Sequence, residues 1–176
     1  MELTIERMVE VYQIHKSKEG KIRVYETIVK RPEHYKFVVE HKAEILAYLD
    51  AKEVAAKRAH DERMAKLNAI EGLRELEDAK YALKSYYSSY NRYIEQGAEG
   101  KEPEKPEANL DELIRKYPRA NAYLKAKEYS FASHFAKSRA GDRAEERILN
   151  GEDYNQAIDD MEKEWKDYCD EHMWDN

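Results

Sequence analysis

NGEDYNQAIDDMEKEWKDYCDEH, residues 150–172, is the stretch whose reading decides the fold class. Asn150-Gly151 ends a helix, because glycine accepts the left-handed backbone that such an ending needs. Asp153 then stands where a side-chain oxygen can accept from the free amides of a new helix, with Gln156 three residues on. From there Ile158, Met161, Trp165, Tyr168 and His172 recur at steps of 3, 4, 3 and 4, the spacing of a helical seam. Two helices joined by so short a turn are predicted to pack antiparallel as a helical hairpin.

Reading back from this hairpin, Pro118 suits the first turn of a helix that carries Tyr123, Leu124, Phe131, Phe135 and many alanines, and that helix is predicted to run past Gly141 to Leu149. Asn109 caps a shorter helix, with Glu112 at the reciprocal position and Leu113, Ile114 and Tyr117 as its apolar side. Gly97, Gly100, Pro103 and Pro106 break helix and mark a loop over 97–108. Alanine and long charged residues favour helix over 51–66, and the stripe Leu67, Ile70, Leu73, Leu76 continues it through Leu83, Tyr86, Tyr90 and Ile94. Residues 51–96 therefore read as one long helical arm.

The β signal is confined to the start. Residues 8–15 and 22–29 are rich in Val, Ile, Tyr and Thr, and 16–21 reads as their hairpin loop. Two strands are not stable alone in water, so the face bearing Ile22, Val24 and Ile28 needs a cover. The helix predicted over 32–50, with Tyr35, Val38, Val39, Ile45, Leu46 and Leu49 on one side, supplies it. The expected architecture is mainly α: a β-hairpin packed on a helix (1–50), the arm (51–96), the loop (97–108), and a C-terminal helical hairpin or bundle (109–176) packing on the arm, the long antiparallel helices forming an elongated bundle.

Composition agrees with long solvated helices. Of 176 residues 39% are charged, and the mean hydropathy is −0.99, which leaves room for narrow apolar stripes only. No apolar run reaches the roughly 18–20 residues of a membrane span, and the first four residues do not open a signal peptide. Cys169 is the one cysteine and forms no internal disulfide. A cytoplasmic protein that engages no membrane is expected. The net charge of −6 is unevenly spread: residues 142–176 carry thirteen Asp/Glu against four Lys/Arg, a net −9, so the remainder carries +3. A tail of that sign repels nucleic-acid phosphates and suits a basic protein surface.

Catalytic patterns are weak. Cys169 and His172 lie one helical turn apart, but zinc needs three or four ligands and no second pair accompanies them, so no metal and no cofactor is expected. Neighbouring carboxylates such as Asp159-Asp160 need a cleft to drive their pKa values apart, and a charged helix face supplies none. Glu164-Trp165-Lys166 has the end of a nuclease motif yet sits in mid-helix, and no phosphate-binding glycine loop or nucleophile elbow is present. A non-enzymatic binding protein is expected.

Three faces are candidates for binding. The acidic face of the last helix offers Asp159, Asp160, Glu162, Glu164, Asp167, Asp170 and Glu171, with Trp174 as an anchor near its end. Among fourteen tyrosines, Tyr86, Tyr87, Tyr90 and Tyr93 fall within two helical turns. The plainer reading makes these an interhelical seam; the functional one makes Tyr86 and Tyr90 partner-binding, or the seam of a homodimer. Lys21, Arg23, Lys57, Arg58, Arg63 and Lys66 form the alternative, a nucleic-acid-binding set, though Glu53, Asp61 and Glu62 interleave with it as local ion pairs do.

Two segments carry a resemblance. Pro32-Glu33 through His41-Lys42-Ala43-Glu44-Ile45-Leu46-Ala47-Tyr48-Leu49, following a hairpin, is similar to a small hairpin-plus-helix module of bacterial and phage proteins. Tyr117-Pro118-Arg119-Ala120, Ala122-Tyr123-Leu124-Lys125-Ala126, Ile148-Leu149-Asn150-Gly151-Glu152-Asp153, Met161-Glu162 and Trp165 resemble accessory proteins of phage and mobile elements of Gram-positive gut bacteria. Such proteins include inhibitors of host defence, and the resemblance implies an anti-CRISPR protein acting on a type II RNA-guided nuclease in a bacterial host cell. It brings no catalytic residue with it.

Overall fold

Ile5, Met8, Val9 and Tyr12 stand at i, i+3, i+4 and i+7, the stripe of an amphipathic helix, and the chain folds that way at its start. Helix α1 spans Ile5–Val11, and the Thr4 hydroxyl caps it by accepting from Arg7 N at 3.3 Å. The computed structural model describes residues 3–24 and 26–172. After α1 come β1 (His15–Lys16), β2 (Ile22–Arg23), a 3-10 turn (Glu26–Ile28), α2 (Pro32–Glu40), α3 (Lys42–Asn68), α4 (Leu73–Glu95), α5 (Leu110–Lys116), α6 (Pro118–Ser130), α7 (Phe135–Leu149) and α8 (Tyr154–His172). The fold is mainly α with one short antiparallel hairpin, and none of the described helices is long and apolar enough to cross a membrane. The chain forms two compact units, Met1–Glu62 and Arg63–Asn176, which divide within α3.

In the first unit the hairpin expected over 8–29 shrinks to its two residues per strand, paired His15 to Arg23 and Lys16 to Ile22. The β-branched content of 8–15 suggested a strand, but burial of Met8, Val9 and Tyr12 on one helix face outweighs local propensity. The loop over 16–21 closes as anticipated, with Gly20 N donating to Ser17 O at 2.9 Å and Gly20 at φ +76°. Ile22, Val24 and Ile28 do share a core, together with Val38 of α2 and Ile45 of α3. The single helix predicted over 32–50 is two, parted at His41, and Tyr35 and Val39 face solvent. Lys16 Nζ on Asp50 Oδ1 at 2.5 Å ties the hairpin to α3.

The second unit differs from expectation at two helix breaks. The arm predicted over 51–96 is interrupted between α3 and α4 at Gly72, whose φ of +70° turns the chain. A Cβ there would also sit 2.2 Å from the Tyr117 ring, so glycine is required twice over. The helix predicted over 118–149 parts at 131–134 into α6 and α7, and Gly141 lies inside α7 where it crosses α6. The other termini follow the sequence: Asn109 Oδ1 accepts from Glu112 N, and Asp153 Oδ1 from Asn155 N and Gln156 N. Residues 97–109 contain no helix or strand. Small residues build the core here, with Ala120, Ala126, Ala140 and Ala144 letting α6 and α7 approach while Leu76, Ile148 and Met161 fill the remaining space.

A groove and aromatic edge on α8

Helices α7 and α8 form the predicted antiparallel hairpin, turned at Gly151 (φ +86°). Ile158 and Met161 are buried along its seam, Trp165 and Tyr168 are half-buried, and His172 is exposed. Asp160, Glu164, Asp167 and Glu171 each precede a seam residue, so they line one flank of α8 with the same 4, 3, 4 spacing. Arg147 of α7 donates to Asp160 Oδ2 at 2.8 Å and also binds Glu152, and Arg143 pairs with Glu164. The bond from Arg147, then that from Gln156, holds the Asp160 carboxyl below its ordinary range. Beyond these two pairs the flank opens into a groove of about 380 Å³ lined by Ala136, Lys163, Asp167, Tyr168 and Glu171, with the edges of Asp160 and Glu164.

The seven predicted acids therefore do not act as one face. Glu162 lies on the other flank, paired with Lys125 of α6. Asp159 and Asp170 are exposed and, with Asp167, form no ion pair among the described residues; Glu171 is 4.0 Å from His172 Nδ1. Trp174 lies outside the described residues. An aromatic edge accompanies the groove: Trp165, Tyr168 and His172 stack along α8 with near-parallel rings, His134 meets the first two edge-on, and Lys137 Nζ sits 4.5 Å from the Tyr129 ring and 5.5 Å from Trp165. Phe131 and Phe135, at the α6–α7 turn, are 77% and 74% exposed, an uncommon setting for two phenylalanines in a chain with three.

The other candidates are more occupied. Tyr86, Tyr90 and Tyr93 are half-buried and ring-to-ring, while Tyr87 is exposed. Residues 97–109 return along α4, since Ala108 and Asn109 share a hollow with Ala79 and Ala82, and the Glu102 charge reaches Tyr86. Burial first, then Tyr90 and Glu102, push the Tyr86 phenol up. Of the basic set, Lys21, Arg23, Lys57 and Arg58 belong to the first unit, Arg63 and Lys66 to the second. Lys21 binds Glu19, Arg58 binds Glu62, Arg63 binds Glu145 and Lys66 donates to Asn150; Arg23 and Lys57 are exposed. A hollow of about 480 Å³ beside Gly72 is also walled by committed acids, Glu75 accepting from Tyr117 and Glu77 from Lys127.

Sequence reading missed Glu145. It is 6% exposed, and its carboxylate accepts from Arg63 Nη2 at 2.9 Å, Tyr123 OH at 3.2 Å and Ser130 Oγ at 2.6 Å. The available signal was its place four residues after Gly141 and three before Ile148, on the buried face of α7. Burial first, then the Glu145 charge, push the Tyr123 phenol from 10.0 to about 12. Unfolded chain would lose that proton near pH 10 while the fold keeps it to about 12, so stability is intact below the lower value and falls as pH climbs toward the higher. Urea midpoints measured across that interval are expected to drop steeply in the native chain and less so in Tyr123→Phe. Equal slopes would mean Tyr123 titrates as an ordinary tyrosine.

Among the described residues no group of three or more His, Cys, Asp and Glu side chains is arranged to hold a metal ion. Cys169 is half-buried and free, and His172 turns its Nδ1 to the Tyr168 carbonyl. No family model, curated protein or solved structure matches this chain.

Proposed function

We propose that this chain is a non-enzymatic binding protein that docks the groove flank of α8 on a basic surface of its partner. What supports the reading is the incomplete row of carboxylates: Asp160 and Glu164 are matched by arginines within the chain, whereas among the described residues Asp167 forms no ion pair and Glu171 pairs with His172 alone, both beside an open groove with an aromatic edge. Charge complementarity of this kind steers association and selects partners. Glu145, the buried carboxylate, is saturated by three donors and is spent on holding helices together, which fits a frame for docking better than a reaction centre. The partner we propose is the basic channel of a type II RNA-guided nuclease bound to its guide RNA. The protein, acting in the cytoplasm of a bacterial host on behalf of a phage or mobile element, would block DNA binding or cleavage there.

Co-elution with that ribonucleoprotein and inhibition of target cleavage test the reading. The native chain is expected to co-elute and to suppress cleavage, with affinity falling as salt rises. Asp167→Lys with Glu171→Lys is expected to weaken the complex about tenfold or more, since two rim attractions become repulsions. Absence of co-elution together with unimpaired cleavage rejects it.

A further inference from the structure

The register of α7 against α8 shows what the groove lacks. Arg147 meets Asp160 and Arg143 meets Glu164, so a step of four toward the start of α7 matches a step of four along α8. The steps of three and then four that α8 takes to Asp167 and Glu171, made on α7 as well, reach Ala140 and Ala136, and Ala136 does line the groove with both acids. Two rungs of an arginine–carboxylate ladder are thus acid on one side and methyl on the other. Lys163, the cation at the groove, makes no ion pair with Asp167 or Glu171. At the start of α7 Phe135, the neighbour of Ala136 in the chain, stands exposed, with Arg139 over its ring.

We infer that the groove takes an arginine-bearing amphipathic helix of a protein partner, two arginines one turn apart supplying the missing rungs. The chain contains its own template for that occupant, Arg143-x-x-x-Arg147 on α7. Arginine is favoured over lysine because its planar fork matches a carboxylate in two bonds, whereas an ammonium offers a compact point charge. An apolar residue beside those arginines would cover Phe135 and Phe131. A phosphate-bearing partner would meet Asp167 and Glu171 with like charge. The inference rests on the docking reading above and specifies the chemistry of the docked segment.

Fluorescence anisotropy of labelled helical peptides tests it on the full chain. The probes are a fifteen-residue peptide with Arg-x-x-x-Arg on one face and leucine on the other, its lysine counterpart, and a single-stranded RNA of equal length. The arginine peptide is expected to bind about fivefold or more tighter than the lysine peptide and to lose about tenfold with Asp167→Asn plus Glu171→Gln. Ala136→Arg should abolish binding by filling the end rung from within, and its unchanged circular dichroism separates that effect from unfolding. Equal affinity for the two peptides, undiminished binding by either variant, or preference for the RNA overturns the inference. If the ribonucleoprotein still co-elutes in any of those cases, the docking reading survives without it. Conversely, peptide binding that follows the predicted pattern alongside an uninhibited nuclease upholds the arginine groove and removes the nuclease as its partner.

Discussion

Replacing Glu145 by alanine is expected to destabilise the second unit by about 3 kcal/mol, read as a lower urea midpoint at constant slope from Trp165 emission in a Trp174→Phe background. Three donors converge on this carboxylate, and they differ in what they do when it is removed. The Arg63 side chain is half exposed and returns to water at small cost. Ser130 Oγ already lies 2.9 Å from the Lys127 carbonyl and can turn to it. Tyr123, 3% exposed, has neither recourse, so its hydroxyl is left buried without an acceptor, worth about 1–3 kcal/mol, with the lost side-chain packing added to it.

That distribution gives a sharper test than the single variant. Tyr123→Phe removes the stranded donor in advance, so the double variant Glu145→Ala/Tyr123→Phe should lose about 1–2 kcal/mol less than the sum of the two singles. Arg63→Ala with Glu145→Ala should be nearer additive, because a half-exposed guanidinium is not stranded. If the strong coupling appears with Arg63 instead, the network is held by its ion pair and not by the buried phenol. Either outcome bears on function through α7, since the helix that Glu145 anchors also supplies Arg143, Arg147 and the Ala136 wall of the groove.

What could be read in the sequence was set by short-range chemistry. The Asn109 and Asp153 caps, the Gly151 turn and the seam from Ile158 to Tyr168 are local signals, and the chain obeys each one. The helix breaks at Gly72 and at 131–134 were hidden for a different reason. Ile70, Leu73 and Leu76 keep helical spacing across a bend that only Gly72 marks, and nothing in Phe131-Ala132-Ser133-His134 forbids helix. In residues 8–15 β-branched side chains favour a strand locally, yet the Ile5, Met8, Val9, Tyr12 stripe prevails and the segment starts as helix. At the candidate site the acidic residues were visible, but which of them are spent was not, because Arg143 and Arg147 find Glu164 and Asp160 only once α7 and α8 are in register. Composition alone counts charges without pairing them.

Gly141→Ala is expected to cost about 2–3 kcal/mol, although alanine in mid-helix is by itself favourable by about 1 kcal/mol over glycine. The added Cβ would stand 2.2 Å from Ser130 N, 2.7 Å from Ala126 O and 2.7 Å from Tyr129 C. All three are backbone atoms of the end of α6, which no rotamer change can move aside. Relief requires α6 and α7 to separate, and that loosens the contacts of Ala126, Ala140 and Ala144 and stretches the bonds from Ser138 Oγ to Ser130 O and from Ser130 Oγ to Glu145. Gly151→Ala supplies the control: its Cβ meets nothing within 4 Å, so only the strain of its positive φ is felt, about 1 kcal/mol. The two variants also part in function. Displacing α7 moves the Ala136 wall against α8, so Gly141→Ala should weaken docking in proportion to its loss of stability, whereas Gly151→Ala should leave affinity nearly intact. Equal midpoints for both would mean that α6 and α7 do not approach this closely in solution, and the groove register built on α7 would have to be drawn anew.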